Sequence, residues 1–120
     1  NIWTTGTSPA DNSKDEDAGL APVGMTMPNG TVFRVIEFRP GVAQRMHRTD
    51  SVDYIVVMAG EIDMELDDGV EVHLRAGDVM VQRGTIHNWV NRGSESCVLA
   101  VILVHAQSAE AGGKVLAAEG

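Results

Sequence analysis

The sequence predicts an all-β fold in a single domain, and three observations support this. Short runs rich in Val, Ile and Met are separated by turn residues, and none of these runs contains proline, which central strands exclude. The clearest of them alternate apolar and polar residues, the period of a half-buried strand. No amphipathic helical pattern lies between them, so we expect an antiparallel sandwich or barrel and exclude a βαβ enzyme fold.

Length and composition agree with one small globular domain. The chain has 120 residues, of which 43% are hydrophobic and 22% are charged, values typical of a soluble protein. A core of this size folds without disulfides or a structural metal, and it leaves no room for a separate cofactor domain. Any bound metal is therefore expected to serve chemistry rather than folding.

The net charge and the cysteine content indicate which binding partners and which cell compartment to expect. The net charge is -8 and the pI is about 4.8, which disfavours nucleic acid because phosphate binding needs a basic surface. No apolar run is long enough for a membrane helix, and residues 1–6 lack the basic and apolar parts of a signal peptide. With Cys97 as its single thiol, the chain is expected in a reducing cytoplasm, away from membranes.

The chain divides into an arm, a barrel and a tail. Residues 1–30 form a proline-containing arm and loop, and residues 31–106 form the barrel. The tail, residues 107–120, is rich in Ala and interrupted by Gly112-Gly113, and we expect at most a short helix there. The strands predicted in the barrel are 31–38, 42–49, 53–59, 61–66, 70–74, 78–83, 86–91 and 97–105.

The strongest local prediction is a hairpin. Strict alternation over 61–66 and again over 70–75 flanks the turn residues Asp67-Asp68-Gly69. One face collects the apolar residues and the other collects acids together with His73 and Arg75. We expect His73 to be exposed.

Two histidines and one aspartate are placed where chemistry is possible. If 42–49 is a strand, His47 shares a face with Arg45 and Thr49, and in 86–91 His87 shares a face with Trp89. Asp53 opens an apolar run, and a buried carboxylate there needs a partner.

These residues resemble the cupin superfamily. The first cupin motif, Gly-x5-His-x-His-x3,4-Glu-x6-Gly, has its spacing intact, with Thr49 in place of the second His and Asp53 in place of Glu; it maps onto Gly41, His47, Thr49, Asp53 and Gly60. The second motif, Gly-x5-Pro-x-Gly-x2-His-x3-Asn, is one residue shorter before its His and has Arg83 near the usual Pro; it maps onto Gly77, Gly84, His87 and Asn91.

The resemblance implies a small single-domain cupin with a double-stranded β-helix, or jelly-roll, barrel. Residues 77–89 also look like a variant found in small cupins described as cupin-domain oxidoreductases of secondary-metabolite pathways. Because cupins include oxygenases, isomerases, lyases and proteins without known catalysis, the resemblance narrows the fold more than the reaction.

The resemblance also implies a divalent transition metal, iron, manganese, nickel or zinc, held by His47, Asp53 and His87. Such a facial triad leaves positions open for water, substrate or oxygen. Asp53 alternatively hydrogen-bonds one of the histidines. The expected pocket residues are Arg45, Thr49, Gln82 and Trp89, and a cationic Arg45 suits a carboxylate or phenolate.

Two functions follow. The first is a metal-dependent oxidoreductase, lyase or isomerase acting on a small carbonyl, phenolic or polyketide-like molecule in the barrel. The alternative is a non-catalytic small-molecule binding or sensing cupin whose metal site has degraded, and a purely structural role for the histidines is a third reading. His105 is expected at the rim, and Cys97 is expected to be a buried apolar side chain.

We also expect a homodimer. Ile2 and Trp3 lie in a polar arm that offers little local surface for an indole, so the sequence predicts that the arm crosses to a partner.

Overall fold

The computed structural model describes residues 1–42 and 45–119. In these residues ten strands and two short 3₁₀ turns form, and no α-helix does, which confirms the all-β prediction. The turns are Ala18–Leu20 and Asp67–Gly69. The strands are β1 Trp3–Thr5, β2 Thr31–Phe38, β3 Ser51–Ala59, β4 Glu61–Glu65, β5 Glu71–Arg75, β6 Val79–Arg83, β7 Asn88–Val90, β8 Cys97–His105, β9 Ala109–Ala111 and β10 Lys114–Leu116.

The larger sheet has five strands in the order β1-β2-β8-β3-β6, and β8 lies at its centre. Strand β8 pairs antiparallel with β2 over the full length of β2, from Thr31↔Val104 to Phe38↔Cys97. On its other edge β8 pairs antiparallel with β3. Alternate residues of β8 are fully buried, as expected for a β-branched and apolar strand covered on one face.

The smaller sheet contains the predicted hairpin. Its order is β5-β4-β7, and the register pairs Ile62 with Leu74 and Met64 with Val72. The turn takes Asp68 to a positive φ of 57°, which a short polar side chain tolerates. This register confirms the two predicted faces: the apolar pairs lie on one side of the hairpin, and Asp63 and His73 face each other on the other side.

The inner faces of the two sheets enclose one apolar core. It draws side chains from both sheets, so the sheets stack face to face as in a sandwich or a flattened barrel. Its buried members are Val32, Phe38, Ile55, Val57, Ile62, Met64, Leu74, Trp89, Cys97, Leu99, Val101 and Leu103. Cys97 is a buried free thiol, as predicted.

The strand predicted over 42–49 is wrong for the part of it that is described. His47 makes a single bridge to His87, whereas the next residue, Arg48, bridges Glu119 of the tail. Neighbouring residues therefore pair with different segments, and no continuous ladder forms. Ala43 and Gln44, within the same prediction, lie outside the described residues.

The tail forms a hairpin rather than the short helix expected from its alanines. Strands β9 and β10 pair antiparallel, with Lys114 opposite Ala111. Gly112 and Gly113 have φ of 57° and 78°, conformations that suit a tight two-residue turn and oppose a helix. The turn chemistry overrides the helix propensity of alanine.

The arm packs on the barrel of its own chain. Strand β1 pairs with β2 so that Trp3 lies opposite Phe33, and this gives the indole the local partner that its polar sequence did not suggest. Thr4 is buried, and its hydroxyl donates to the Ala18 carbonyl at 2.7 Å. No helix among the described residues is long and apolar enough to cross a membrane.

Candidate functional site

A cavity of about 250 Å³ lies between the two sheets. Its walls are mostly apolar, and a small set of polar side chains from β2, β3, β6 and the chain before β7 converges on it, the usual character of a small-molecule site. The lining residues are Met25, Arg34, Ile36, Phe38, His47, Thr49, Asp53, Ile55, Gln82, His87, Trp89, Val101 and Leu103. We call this space the inner cavity.

The two predicted histidines are in contact at the wall of the inner cavity. Reciprocal main-chain hydrogen bonds of 2.8 and 2.9 Å join His47 and His87, and their ring centroids are 4.1 Å apart. Nδ1 of His47 donates to the Arg45 carbonyl at 3.0 Å, and Nδ1 of His87 donates to the Thr85 carbonyl at 2.8 Å. An imidazole that donates through Nδ1 has its remaining lone pair on Nε2 when it is neutral, so Nε2 is the nitrogen available to a ligand.

Burial keeps His87 neutral. The side chain is buried, and desolvation lowers the pKa of His87 to about 4, with a smaller contribution from nearby His47. The hydrogen bond to the Thr85 carbonyl opposes this shift only in part. At neutral pH His87 is thus an imidazole that can ligate a metal or accept a proton.

Asp53 is the buried carboxyl group of the site, and a chain of two hydroxyl groups hydrogen-bonds to it. The Ser51 hydroxyl donates to Oδ1 of Asp53 at 2.6 Å, and the Thr49 hydroxyl lies 2.8 Å from Ser51 Oγ. Because Ser51 has one hydroxyl proton, Thr49 is the donor in the second bond. Desolvation raises the pKa of Asp53, and the bond from Ser51 and the charge of His47 offset this in part.

Ser51 was not among the predicted site residues. The available signal was its spacing, since residues two apart in a strand share a face and Ser51 stands two before Asp53. Thr49, also expected in the pocket, lines the inner cavity and hydrogen-bonds Ser51.

Gln82 and Trp89, two of the residues expected in the pocket, also line the inner cavity. Gln82 lies opposite Asp53 in the β3–β6 ladder and is only 3% exposed, yet its Oε1 has no partner among the described residues. Trp89 meets the His87 ring edge-on, with centroids 5.9 Å apart. A buried amide oxygen without a partner is costly and points to a ligand atom or a water.

Arg45 does not line the inner cavity. It is exposed and lines an outer cavity of about 730 Å³ that shares Met25, His47 and Thr49 with the inner one. The cation that does line the inner cavity is Arg34, from β2, which sequence reasoning missed because its strand carries no motif.

The three predicted metal ligands are only partly brought together. His47 and His87 touch, and Asp53 lines the same cavity. Across residues 1–42 and 45–119, however, no group of three His, Cys, Asp or Glu side chains is arranged to hold a metal ion. The donor chemistry fits a divalent metal at the histidine pair, because both rings are oriented through Nδ1 with Nε2 free.

The other two histidines lie away from the inner cavity. His73, exposed as predicted, bonds Asp63 at 2.6 Å and Glu61 at 3.1 Å. His105 is exposed at the end of β8, where its Nδ1 accepts the Asn29 amide at 3.0 Å, and it lines the outer cavity.

Known proteins resemble this chain in sequence. The cupin-domain family matches residues 34–104. Phomopsin biosynthesis cluster protein C' of Diaporthe leptostromiformis is 41% identical, over 95% of this chain and 64% of its own length. The cupin-domain-containing oxidoreductase fogC of Aspergillus ruber is 40% identical, over 75% of this chain and 46% of its own length. The chain thus spans about half to two thirds of these relatives.

Solved structures agree on the fold. A Klebsiella pneumoniae protein with a double-stranded beta-helix domain matches with a TM-score of 0.59 at 24% identity, over 75% of this chain and 76% of that one. The polyketide cyclase RemF of Streptomyces resistomycificus matches with a TM-score of 0.57 at 22% identity, over 62% and 54%. The double-stranded β-helix expected from the two motifs is therefore confirmed, and the chain belongs to the cupin family.

Proposed function

We propose that this cupin is a metal-dependent enzyme that transforms a small organic molecule in the inner cavity. Relatives named as cupin-domain-containing oxidoreductases, and others named for biosynthesis clusters, support an oxidoreductase acting on a secondary metabolite. A carbonyl, phenolic or polyketide-like substrate fits a mostly apolar cavity with few polar groups.

The observation that carries the proposal is the contact between His47 and His87, each fixed through Nδ1 to a main-chain carbonyl. The two Nε2 atoms would hold the metal, and Asp53 would supply the anionic oxygen of the set. Iron, manganese, nickel and zinc all accept imidazole and carboxylate ligands. A bound metal would polarise a carbonyl or enolate oxygen, or, as Fe(II), would allow oxygen chemistry.

The chain's own groups bind, orient and exclude water. Phe38, Ile55 and Trp89 supply apolar wall around the substrate. The Ser51 hydroxyl orients the side chain of Asp53, and Thr49 in turn orients Ser51. Burial raises the pKa of Asp53, which favours a role in proton transfer. Gln82 offers an unpaired amide oxygen to a donor group of the substrate.

Elemental analysis of protein purified without chelator tests the proposal. We expect near-stoichiometric iron, manganese, nickel or zinc in the wild type and loss of that metal in His47→Ala and His87→Ala. His73→Ala is the matched control, because it removes an exposed imidazole far from the cavity and should leave the metal content unchanged. Metal retained in both cavity variants, or absent from the wild type even after titration, contradicts the proposal.

A second candidate function is a metal-free binding or sensing module. It is favoured by the lack of a three-ligand cluster among the described residues. In that case a ligand of the inner cavity raises the melting temperature of metal-free protein and is recovered unchanged.

We propose further that the protein is a homodimer of the cytoplasm. The cytoplasmic location rests on the single, buried Cys97. The dimer rests on the outer face of the five-stranded sheet, which the register lines with two uninterrupted apolar rows. These rows are Trp3, Phe33, Ile102, Tyr54 and Val81, and Val35, Ala100, Val56 and Val79.

The occupant we propose for this outer face is a second copy of the chain. Each copy carries a net charge of -8, so two copies repel wherever acids meet. The two apolar rows contain no acid, and several of their members are exposed, including Val79 at 73%. Contact through these two rows therefore lets two acidic chains bury apolar surface without apposing carboxylates.

A further inference from the structure

Arg34 places an uncompensated positive charge at the inner cavity. It lies on β2 opposite Val101 of β8, and both residues line the cavity. None of the ion pairs formed by the described residues includes Arg34, so no carboxylate of that part of the chain lies within 4.0 Å of it. A guanidinium stays charged in proteins, and Asp53, which lines the same cavity, forms no ion pair with it, so the guanidinium can pair with an anionic ligand.

The donors of Arg34 are only partly used. One terminal nitrogen donates to the Gly24 carbonyl at 2.8 Å, and the other reaches the Met25 sulfur at 3.7 Å, a weak acceptor. Nε is buried and has no partner among the described residues. The guanidinium is thus anchored from one side by the segment before β2 while N–H groups remain available.

A second unpaired polar atom lies in the same cavity. Gln82 is almost fully buried, and its Oε1 is unpartnered in the described part of the chain. The unpaired Nε of Arg34 is a donor and the unpaired Oε1 of Gln82 is an acceptor, so together they suit a ligand that brings an acceptor to Arg34 and a donor group, or a water, to Gln82. The remaining wall, formed by side chains such as Ile36, Phe38 and Leu103, suits an apolar body.

We propose that Arg34 binds an anionic oxygen of the substrate, a carboxylate, enolate or phenolate, and so selects compact apolar acids for the inner cavity. This rests on the proposed function only in placing the substrate in that cavity. Charged hydrogen bonds from a guanidinium to such an oxygen are among the strongest available to a buried site. The volume of about 250 Å³ equals that of roughly eight liquid waters, which limits the ligand to a compact molecule.

In this proposal the substrate-binding cation is Arg34, whereas the sequence had suggested Arg45. Arg45 is exposed at the outer cavity, where solvent screens its charge. Burial lowers the pKa of Arg34 from its ordinary value, an effect of desolvation that an anionic ligand would reverse.

Binding of matched charged and neutral probes tests this proposal. Benzoate is compared with benzamide, and 4-nitrophenolate with nitrobenzene, each at pH 8 by quenching of Trp89 fluorescence in a Trp3→Phe background. We expect the wild type to bind at least one anion about tenfold or more tightly than its neutral counterpart. Arg34→Gln should lose that preference, Arg34→Lys should keep part of it, and Arg45→Gln, the matched surface control, should keep it all.

The proposal is overturned if neither anion is preferred or binds, or if Arg34→Gln retains the preference. Circular dichroism and melting of each variant establish folding, and Arg34→Lys supplies the charged comparison should Arg34→Gln unfold. All titrations are repeated after chelation. A preference that persists in chelated protein and depends on Arg34 supports this proposal whatever the metal analysis finds, so the two can fail separately.

Discussion

At the scale of single residues, burial shifts the pKa values of His87 and Asp53, which both line the inner cavity, in opposite directions. Burial lowers the pKa of His87 to about 4 and raises the pKa of Asp53. Both shifts favour the neutral form, because transfer out of water penalises whichever form is charged. The low-dielectric surroundings that cause both shifts also strengthen any charged hydrogen bond that a ligand makes in this cavity.

The lowered pKa of His87 has a consequence for acid stability. Between pH 6.5 and about 4 the unfolded chain binds a proton at this residue and the folded chain does not, so stability falls as the pH falls. In chelated protein we expect the free energy of unfolding to drop by at most about 1.4 kcal/mol per pH unit from this group. Urea unfolding at several pH values measures the slope.

The matched variant is His87→Phe, which keeps a buried ring without a titrating nitrogen. Its free energy of unfolding should change less than that of the wild type over the same pH window. Asp53 acts with the opposite sign, since its raised pKa makes the folded state take up a proton first. Identical pH profiles for the wild type and His87→Phe would show that His87 is not held neutral by burial.

Sequence reasoning reached the residues that lie in motifs and missed those that do not. The resemblance to the two cupin motifs led to His47, His87 and Asp53, and all three line the inner cavity. Ser51 belongs to neither motif, and its only signal was its two-residue spacing from Asp53. Arg34 gave no signal, because arginine is usually found on exposed surfaces. Only the strand register reveals that Arg34 is on the inward row of β2.

At the scale of elements, the glycines of the two motifs differ in how much space their surroundings leave for a side chain. Gly60, between β3 and β4, has a φ of 75°, and a Cβ there would lie 2.4 Å from the Ser96 carbonyl oxygen. Gly77, before β6, has a φ of 93°, yet a Cβ there meets nothing within 4 Å. The backbone cost of alanine is similar at the two sites, whereas the collision exists only at Gly60.

We therefore expect Gly60→Ala to destabilise the protein more than Gly77→Ala does. The left-handed backbone costs about 1–2 kcal/mol for alanine at either position, and displacement of the Ser96 main chain adds to that at Gly60. Thermal and urea unfolding of the two variants measure the difference. Equal losses of stability would contradict this prediction, because they would mean that the main chain at Ser96 moves aside with no cost in free energy.

The strand expected over 42–49 and the helix expected in the tail failed for different physical reasons. The strand is reduced to bridges because His47 and Arg48 meet different segments, and the partner of Arg48 is Glu119, beyond β10 and far along the chain. In the tail, the local Gly112-Gly113 turn outweighs the helix propensity of alanine. The hairpin β4–β5 was predicted well because its alternation and its turn are local. Local pattern determines a hairpin, whereas edge pairing is decided by the tertiary fold.

At the scale of the whole molecule, the outer face of the five-stranded sheet makes the dimer testable. The wild type should sediment at twice the 12.8 kDa chain mass in analytical ultracentrifugation at micromolar concentration. Val81→Glu places an acid in the first apolar row and should shift the protein toward the monomer.

Val115→Glu on β10 is the matched control, since Val115 is 64% exposed and Val81 is 61% exposed. It adds the same charge outside the sheet face and should leave the dimer intact. A monomeric wild type, or equal effects of the two variants, would contradict dimerisation through this face.

The central position of β8 has a consequence for the order in which the fold is completed. Residues 97–105 join β2 on one side to β3 on the other, although both of those strands are synthesised much earlier. During synthesis, the edges of β2 and β3 that pair with β8 therefore remain unpaired, whereas the hairpin β4–β5 can form at once because its two strands are adjacent in sequence. Because loop closure must precede such distant pairing, we expect slow folding and a nascent chain that depends on chaperones until β8 emerges.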